Sequence, residues 1–354
     1  MENDVIYQGY ETEQQQLFEA SKKTIENKLE ADKYEIHQRF MEGFDLLSQL
    51  VVKKQEEDKA YVIKYIQISL LRSLIGMDRF IYRISAHNVD YFLDRQAEAV
   101  TIDLSDLFHP LAETGKSLRE YVKSNRMGIL GCHINYQIME QAFMINRTVA
   151  KRFRFWLRDL DHTDALLNIK TTEYYFVKWG GHWEKSETIL IGDKREKNQQ
   201  MFEEIQEDNH IDQLDFSKFF HVWDKADFHD LVVTEKSLLF QRFRHTGFKR
   251  CVLGGTTLWG SNFRAAHIQR SVFLASNLSR CDFRDAVLEE VLFQNCDLCE
   301  ADFRNADFRE VSFEGSSLKG ALFWRKDIPF LHLDNRQLQE IVMLKMEVDR
   351  CILL

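Results

Sequence analysis

Apolar positions recur along this chain with two different periods, and the stricter one lies toward the C-terminus. Written in blocks of five, residues 241–325 read QRFRH TGFKR CVLGG TTLWG SNFRA AHIQR SVFLA SNLSR CDFRD AVLEE VLFQN CDLCE ADFRN ADFRE VSFEG SSLKG ALFWR. The third residue of all seventeen blocks is Phe, Leu or Ile, and from the second block on the first is Thr, Cys, Ser, Ala or Val. Neither a helix nor an ordinary strand repeats every five residues. A chain that turns a square corner every five residues does: two positions point inward, one large and one small, and three face water. At roughly 1.5–3 kcal/mol per fully buried Phe or Leu, such a column offsets the ordering entropy of a thin rod.

If four blocks make one circuit, residues twenty apart stack. Phe243, Phe263, Phe283, Phe303 and Phe323 form one pure column, and Leu258, Leu278, Leu298 and Leu318 another. Leu253 is followed by Phe273, Phe293 and Phe313, while Phe248, Ile268, Leu288 and Phe308 stay mixed. A run of ordinary hairpins predicts no such sorting. The axial phase continues back through Leu238, Val233 and Phe228 and forward to Ile328, but the small-residue position fails at Lys236, Gln241 and Lys326, which places the ends near there.

The second period is eleven. Phe18, Leu29, Phe40 and Val51 are eleven apart, as are Ile25, Ile36 and Leu47. That spacing, about 3.67 residues per turn, predicts a long, nearly straight helix from Glu11 to about Asp58. Its narrow stripe must be buried against its own next elements or against a second copy. Tyr61 to Leu93 reads as further helix able to serve as that partner. Between 100 and 235 the texture is mixed: residues 116–125 and 133–160 read as helix, TEYYFVKW–Gly180–Gly181–HWEKSETILIG as a hairpin turning at the glycine pair, and Glu196–Glu207 as helix again. Gln337 to Leu354 reads as an amphipathic helix capped near Asp334 and Asn335.

The blocks ADFRN, ADFRE, CDFRD, CDLCE, SNLSR and SNFRA resemble the pentapeptide-repeat family, whose motif is A-(D/N)-L-x-x, with Phe often replacing the central Leu. The resemblance covers about a quarter of the chain. It implies a right-handed quadrilateral β-helix with coils about 4.8 Å apart. The open ends of such a rod need caps, so the C-terminal helix is expected to cap it or, as in some members of the resembled family, to mediate dimerisation; a non-enzymatic protein is expected. The expected organisation is α+β and multidomain: a helical arm (1–98), a mixed α/β domain (99–235), the β-helix (236–330) and a capping helix (331–354).

Charge adds one feature. The chain carries a formal −9, so bulk attraction to nucleic acid or an anionic membrane is not expected. Within the repeat, Arg244, Arg264, Arg284 and Arg304 share one position twenty apart and predict a ladder up one side. Asp282, Asp285 and Asp302 lie on the same side and can neutralise the later rungs. Residues 241–280 hold seven basic residues, Lys249 and Arg250 among them, and no acids, whereas 281–325 hold five basic and ten acidic residues. This polarity makes Arg244, Arg264, Arg284, Arg304, Lys249 and Arg250 the candidate contacts for an acidic protein partner, beside the alternative that arginine is merely tolerated at a solvent-facing position.

Other chemistry is sparse. Cys296 and Cys299 form a CxxC, but the repeat phase points one inward and the other outward, so no metal site is expected. His182 lacks a companion nucleophile or carboxylate motif. Asn146-Arg-Thr148 matches a glycosylation acceptor but falls in predicted helix, and phosphate-loop, dinucleotide and metalloprotease signatures are absent. No catalytic residue and no cofactor are expected. Six cysteines without framework spacing, no visible secretory leader and no span apolar enough for a bilayer point to a cytoplasmic protein; a bacterial source is expected as well. The expectation is a protein–protein interaction scaffold, with a homodimer through either the long N-terminal helix or the C-terminal helix as a possibility. Two alternatives stand beside it: a DNA mimic acting on a type II topoisomerase, which the resemblance suggests because some members of that family act so and which needs acidity along the whole rod, and an effector or toxin-system component with its activity in residues 100–235.

Overall fold

The computed structural model describes residues 2–181, 186–207 and 221–344. The chain divides into two compact units, Met1–Gly192 and Asp193–Leu353.

In the first unit α1 (Glu2–Ala31) and α2 (Lys33–Glu57) follow each other with one interruption, at Asp32, whose φ of −99° and ψ of 16° leave the helical region. Hydrogen bonds still run through it, from Asp32 N to Lys28 O and from Ile36 N to Asp32 O, at 2.8 and 3.0 Å. The eleven-residue stripe from Phe18 to Val51 is buried inside its own unit, which is the intramolecular solution to its exposure.

Its partner differs from the expectation. Tyr61 to Leu93 is not helical: it forms β1 (Ile63–Leu70) and β2 (Ile81–His87), joined by a single turn of helix, α3 (Arg72–Ile75). Ile66, Ile68 and Leu70 alternate with Tyr65, Gln67 and Ser69, so a period of two governs this segment. With β3 (Glu98–Asp103), β4 (Thr171–Gly181) and β5 (Glu187–Asp193) they make a five-stranded sheet ordered β3-β2-β1-β4-β5. The β1 strand is antiparallel to β2 and parallel to β4. Because β1 pairs with β4 and α2 packs on β3, the helical arm and the mixed region form one unit, and no boundary falls at 98/99.

Between β3 and β4 lie α4 (His109–Ser124) and α5 (Gly131–Trp156), close to the helices the sequence predicts, then a short α6 (Asp164–Leu167). Phe40 of α2, Phe153 of α5, Tyr82 of β2 and Trp179 of β4 pack ring against ring, with Phe40–Phe153 centroids 4.3 Å apart. Asn146 of the glycosylation-like triplet is buried here, and its Oδ1 accepts from Tyr82 Oη and Trp179 Nε1, both at 2.8 Å. Gly180 and Gly181 are not the turn. They lie in β4 opposite Ser69 and Leu70, because β1 runs beside β4 to its end; the tip of the hairpin and His182 fall outside the described residues.

The second unit opens with α7 (Gln199–Glu207), followed by the coil. Val222, Arg242, Asn262, Asp282, Asp302, Leu322 and Val342 are joined in turn by parallel bridges, each twenty residues beyond the last, which makes six circuits of a right-handed quadrilateral β-helix. It begins fourteen residues earlier than position 236 because the oversized Gln241 is accommodated: its Oε1 accepts from Trp223 Nε1 at 2.9 Å and only 2% of the residue is exposed. The axial rings stack as the twenty-residue spacing requires. Phe263–Phe283, Phe283–Phe303 and Phe303–Phe323 have centroids 4.9 Å apart and planes within 12°.

Two features of the circuit were not legible as such. Every fifth residue from Lys225 to Gly320 has φ between +47° and +73°, so each corner is a left-handed residue, usually not glycine. The small first position also does more than leave room. Ser276 Oγ donates to Leu253 O and accepts from Thr256 N, and Ser261 and Ser316 likewise each bond backbone groups of the preceding coil, which satisfies inward-pointing backbone groups.

Both ends are covered. Phe202 of α7 sets its edge on Trp223 and Phe228 at 4.9 and 5.1 Å. At the far end the expected long helix is only α8 (Asn335–Glu340), started by a capping box of Asp334 and Gln337. Gln337 Nε2 donates to Phe313 O and Ser316 O, and Val342–Leu344 then adds a strand to Leu322–Trp324. The chain can pair with the open coil edge here, which helix cannot do, so strand replaces helix. Residues 345–354 lie outside the described ones.

Candidate functional site

Each circuit presents four sides, and each side repeats one block every twenty residues. The first side (blocks starting at 221, 241, 261, 281, 301 and 321) carries the arginine ladder. Its column runs Asp224, Arg244, Arg264, Arg284, Arg304, Trp324, so an acid precedes the four arginines and an indole follows them.

The ladder is not a free cationic strip. Arg244 is 3% exposed and donates through Nε and Nη2 to Asp224 Oδ2, while Arg242 Nη2 reaches the same oxygen at 2.6 Å. Burial alone would raise the Asp224 carboxyl, but the two guanidiniums outweigh it and hold the group at about 2. Arg264 pairs with Asp285, Arg284 with Asp282, and the buried Arg304 with Asp302. The middle rungs, with Asp285, Asn305 and Trp324, line a cleft of about 190 Å³.

The axial charge polarity of the sequence is cancelled in the same way. Arg250 pairs with Asp230, Arg270 with Glu290 and Arg280 with Glu300, each a coil away. Counting charge along the sequence separates partners that the fold stacks directly. Of the six candidate residues, Arg244 and Arg304 are buried, Arg264 and Arg284 half-buried, and only Lys249 and Arg250 exposed; Lys249 makes no ion pair among the described residues. Cys296 is buried, with its thiol on Phe273 O, and Cys299 is half-buried beside Ser317 Oγ. Burial raises both thiols.

The side that stands out is the third. Its blocks at 251–255, 271–275 and 291–295 read CVLGG, SVFLA and VLFQN, fifteen residues without a charge in a chain that is 29% charged. Val232, Val252, Val272 and Leu292 stack outward in one column, in register across parallel strands. Val232 is 65% exposed, Leu292 44%, and Leu274 in the neighbouring column 40%. Gly254, Gly255 and Ala275 beside them add almost no bulk, so the surface is flat there; Glu235 lies beside Gly255 at one end and the polar Gln294 and Asn295 at the other. The signal in the sequence is the absence of charge from three successive blocks of this side, at 251, 271 and 291, between Glu235 and Glu314 of the blocks before and after.

No curated protein matches the chain. Among solved structures, it is similar to QnrB1, a plasmid-mediated fluoroquinolone resistance protein, at 19% identity over 30% of this chain and 57% of that one, with a TM-score of 0.25. It is also similar to HetL, a pentapeptide repeat protein involved in heterocyst differentiation regulation from the cyanobacterium Nostoc sp. strain PCC 7120, at 18% identity over 29% of this chain and 46% of that one, with a TM-score of 0.26. The chain thus spans about half the length of these two proteins. Among the described residues no helix is long and apolar enough to cross a membrane. The profile of the pentapeptide repeat region family matches residues 246–323, and that stretch of the coil is a pentapeptide-repeat region.

Proposed function

We propose that this protein is a non-enzymatic interaction scaffold whose coil docks another protein through the uncharged third side. The observation that carries this reading is the contrast between sides. The arginines of the first side are tied to Asp224, Asp282, Asp285 and Asp302, while the third side leaves Val232, Leu274 and Leu292 partly in water and holds no charged residue in its blocks 251–255, 271–275 and 291–295. Exposed apolar surface that is contiguous, flat and rigid marks association sites, because covering it releases free energy with little ordering cost. Completing the burial of Leu274 and Leu292 contributes on the order of 1 kcal/mol each. The partner is a protein presenting an apolar, weakly charged surface; the exposed Lys249, just before Cys251, favours an acid at its rim. A duplex-mimicking rod is disfavoured, since its acids must face solvent and several here are neutralised by arginine.

Affinity purification from the native host with quantitative mass spectrometry tests this. Leu274→Glu and Leu292→Glu should each lower recovery of the bound protein at least tenfold, while His267→Glu on the second side leaves it unchanged. Equal recovery with all three variants would overturn the assignment.

A further inference from the structure

The sheet of the first unit has two edges, and they differ. At one, residues 188–192 of β5 are all buried. At the other, β3 has no strand beyond it among the described residues, and Thr101 and Asp103 are exposed. Asp103 lies opposite Ile81, and one residue on, Leu104 N donates to Phe80 O at 3.0 Å. The alternation of an antiparallel pair therefore turns the backbone groups of Val100 and Ile102 toward β2 and those of Ala99, Thr101 and Asp103 outward. In keeping with that phase, Asp103 O accepts from Arg39 Nη1 of α2, at 3.2 Å. The register with β2 is unbroken, β3 holds no proline, and its charges sit only at its ends, Glu98 and Asp103. The devices that ordinarily keep an open edge from pairing are missing from its middle.

An apolar strip runs beside this edge. Arg39, Gly43, Leu46, Leu50 and Lys54 follow one another on α2 at steps of three or four, which is one helical stripe. Three of the five meet β3 or its ends. Arg39 reaches Asp103 O and Asp106, Gly43 lies so close to Ile102 that a Cβ there would be 2.9 Å from its Cδ1, and Lys54 bonds Gln96 O beside Glu98. Leu46 and Leu50, between them in the stripe, thus lie along the same strand, yet are 55% and 41% exposed. Outward backbone groups beside two leucines in water make a site for an added strand, which would take up both.

We propose that this edge is a homodimer interface, in which β3 of a second copy pairs antiparallel with β3 across a two-fold axis at Thr101. The occupant follows from the match of the edge to itself. With that axis, the outward N–H and C=O of Thr101 bond those of Thr101 of the second copy, and Ala99 meets Asp103 of the second copy, so no acid faces an acid. The α2 helix runs from Arg39 at the Asp103 end of β3 to Lys54 at the Glu98 end. The same axis therefore passes near Leu46 and brings the two leucine strips together. Charge matches as well. At the Asp103 end, Glu35, Asp103 and Asp106 gather around the single Arg39, whereas at the other end Lys53, Lys54 and Arg95 outnumber Asp94 and Glu98. Antiparallel pairing sets the acidic end of each copy against the basic end of the other.

Sedimentation velocity of the full chain at roughly 1–100 µM tests the proposal, with a dimer dissociating in that range as the expected result. Thr101→Pro removes the donor at the axis but no bond within the sheet, because that N–H points away from β2. It should weaken the dimer about 10- to 100-fold, since both copies lose the bond, and Leu50→Glu should do so to a similar degree. Leu274→Glu, on the third side of the coil, should leave the dimer unchanged, which separates this interface from docking on the coil. Hydrogen exchange of the unaltered chain needs no substitution: peptides covering 98–104 should exchange more slowly as concentration rises through the dissociation constant. A monomer throughout that range would overturn the proposal and leave the edge to a strand of another protein. A dimer that survives both Thr101→Pro and Leu50→Glu, or exchange in 98–104 that ignores concentration, would overturn it too.

Discussion

The substitution Asp224→Asn tests the ion-pair account of the first coil most directly. It preserves the shape of the side chain but removes the Asp224 charge from Arg242 and Arg244, 11% and 3% exposed at their side chains. Holding the carboxyl at about 2 instead of the ordinary 3.8 corresponds to roughly 2 kcal/mol of native preference for the charged form. Removing one partner of a fully buried pair costs about 3–5 kcal/mol; the Asp224 side chain is 18% exposed, so we place the cost at about 2–3 kcal/mol. The end coil opens first in a repeat structure, so the effect belongs to amides of the first circuit. In hydrogen exchange read by mass spectrometry, peptides covering 221–245 should exchange about 30- to 150-fold faster in the variant. The sign with pH follows from the lowered carboxyl. Its contribution is complete above about pH 4 and is lost as pH falls toward 2, so variant and unaltered protein should converge across that window. A change below about threefold at neutral pH, or a difference that persists undiminished at pH 2, would refute the reasoning.

Phe283→Ala removes the ring stacked between Phe263 and Phe303 and should cost about 3–5 kcal/mol, read as earlier urea unfolding of the coil. Ala275→Gly, at a corner with φ of +47°, should stabilise by about 0.5–1 kcal/mol, the left-handed penalty less the added chain entropy, whereas Gly315→Ala should destabilise by a similar amount because φ there is +68° and the new Cβ would displace the Asn295 side chain. Asn146→Ala should cost about 2–4 kcal/mol in thermal unfolding of the first unit, since Tyr82 Oη and Trp179 Nε1 both lose their acceptor.

What could be read without coordinates was whatever repeats. A single Phe at position 283 says nothing, but five of them spaced by twenty fix a stack, and the rings of Phe263 and Phe283 lie 4.9 Å apart as that spacing demands. The eleven-residue stripe was legible for the same reason. Tyr61 to Leu93 was not, because its apolar residues are dense enough to fit either period, and its role as the middle of a sheet depends on β4, a hundred residues away. Phe202 as a lid was hidden because one aromatic residue in a short helix carries no pattern. The arginine ladder and the neutralisation of its later rungs by Asp282, Asp285 and Asp302 were legible; the earlier pairing was not, because Asp224 lies before the first full repeat and pairs such as Arg270 with Glu290 are adjacent only after the chain has gone once around.

The circuit also explains why one side can differ so sharply from its neighbours. Axial stacking and the serine and threonine bonds at the first position are met by two residues of every five, whatever the outer three are. The outer residues interact mainly with those twenty before and twenty after, so each side is in effect a separate short sequence read up the rod. On the first side that arrangement lets neighbouring coils neutralise each other, Arg264 by Asp285 and Arg244 by Asp224. The third side has no charge to neutralise from 251 to 295, and nothing in the interior demands this, since Val272 and Leu292 could be Lys or Glu without disturbing Phe273 or Phe293 at the axis. An apolar outer column that the fold does not require needs a cause outside the fold, and a partner surface covering it supplies one.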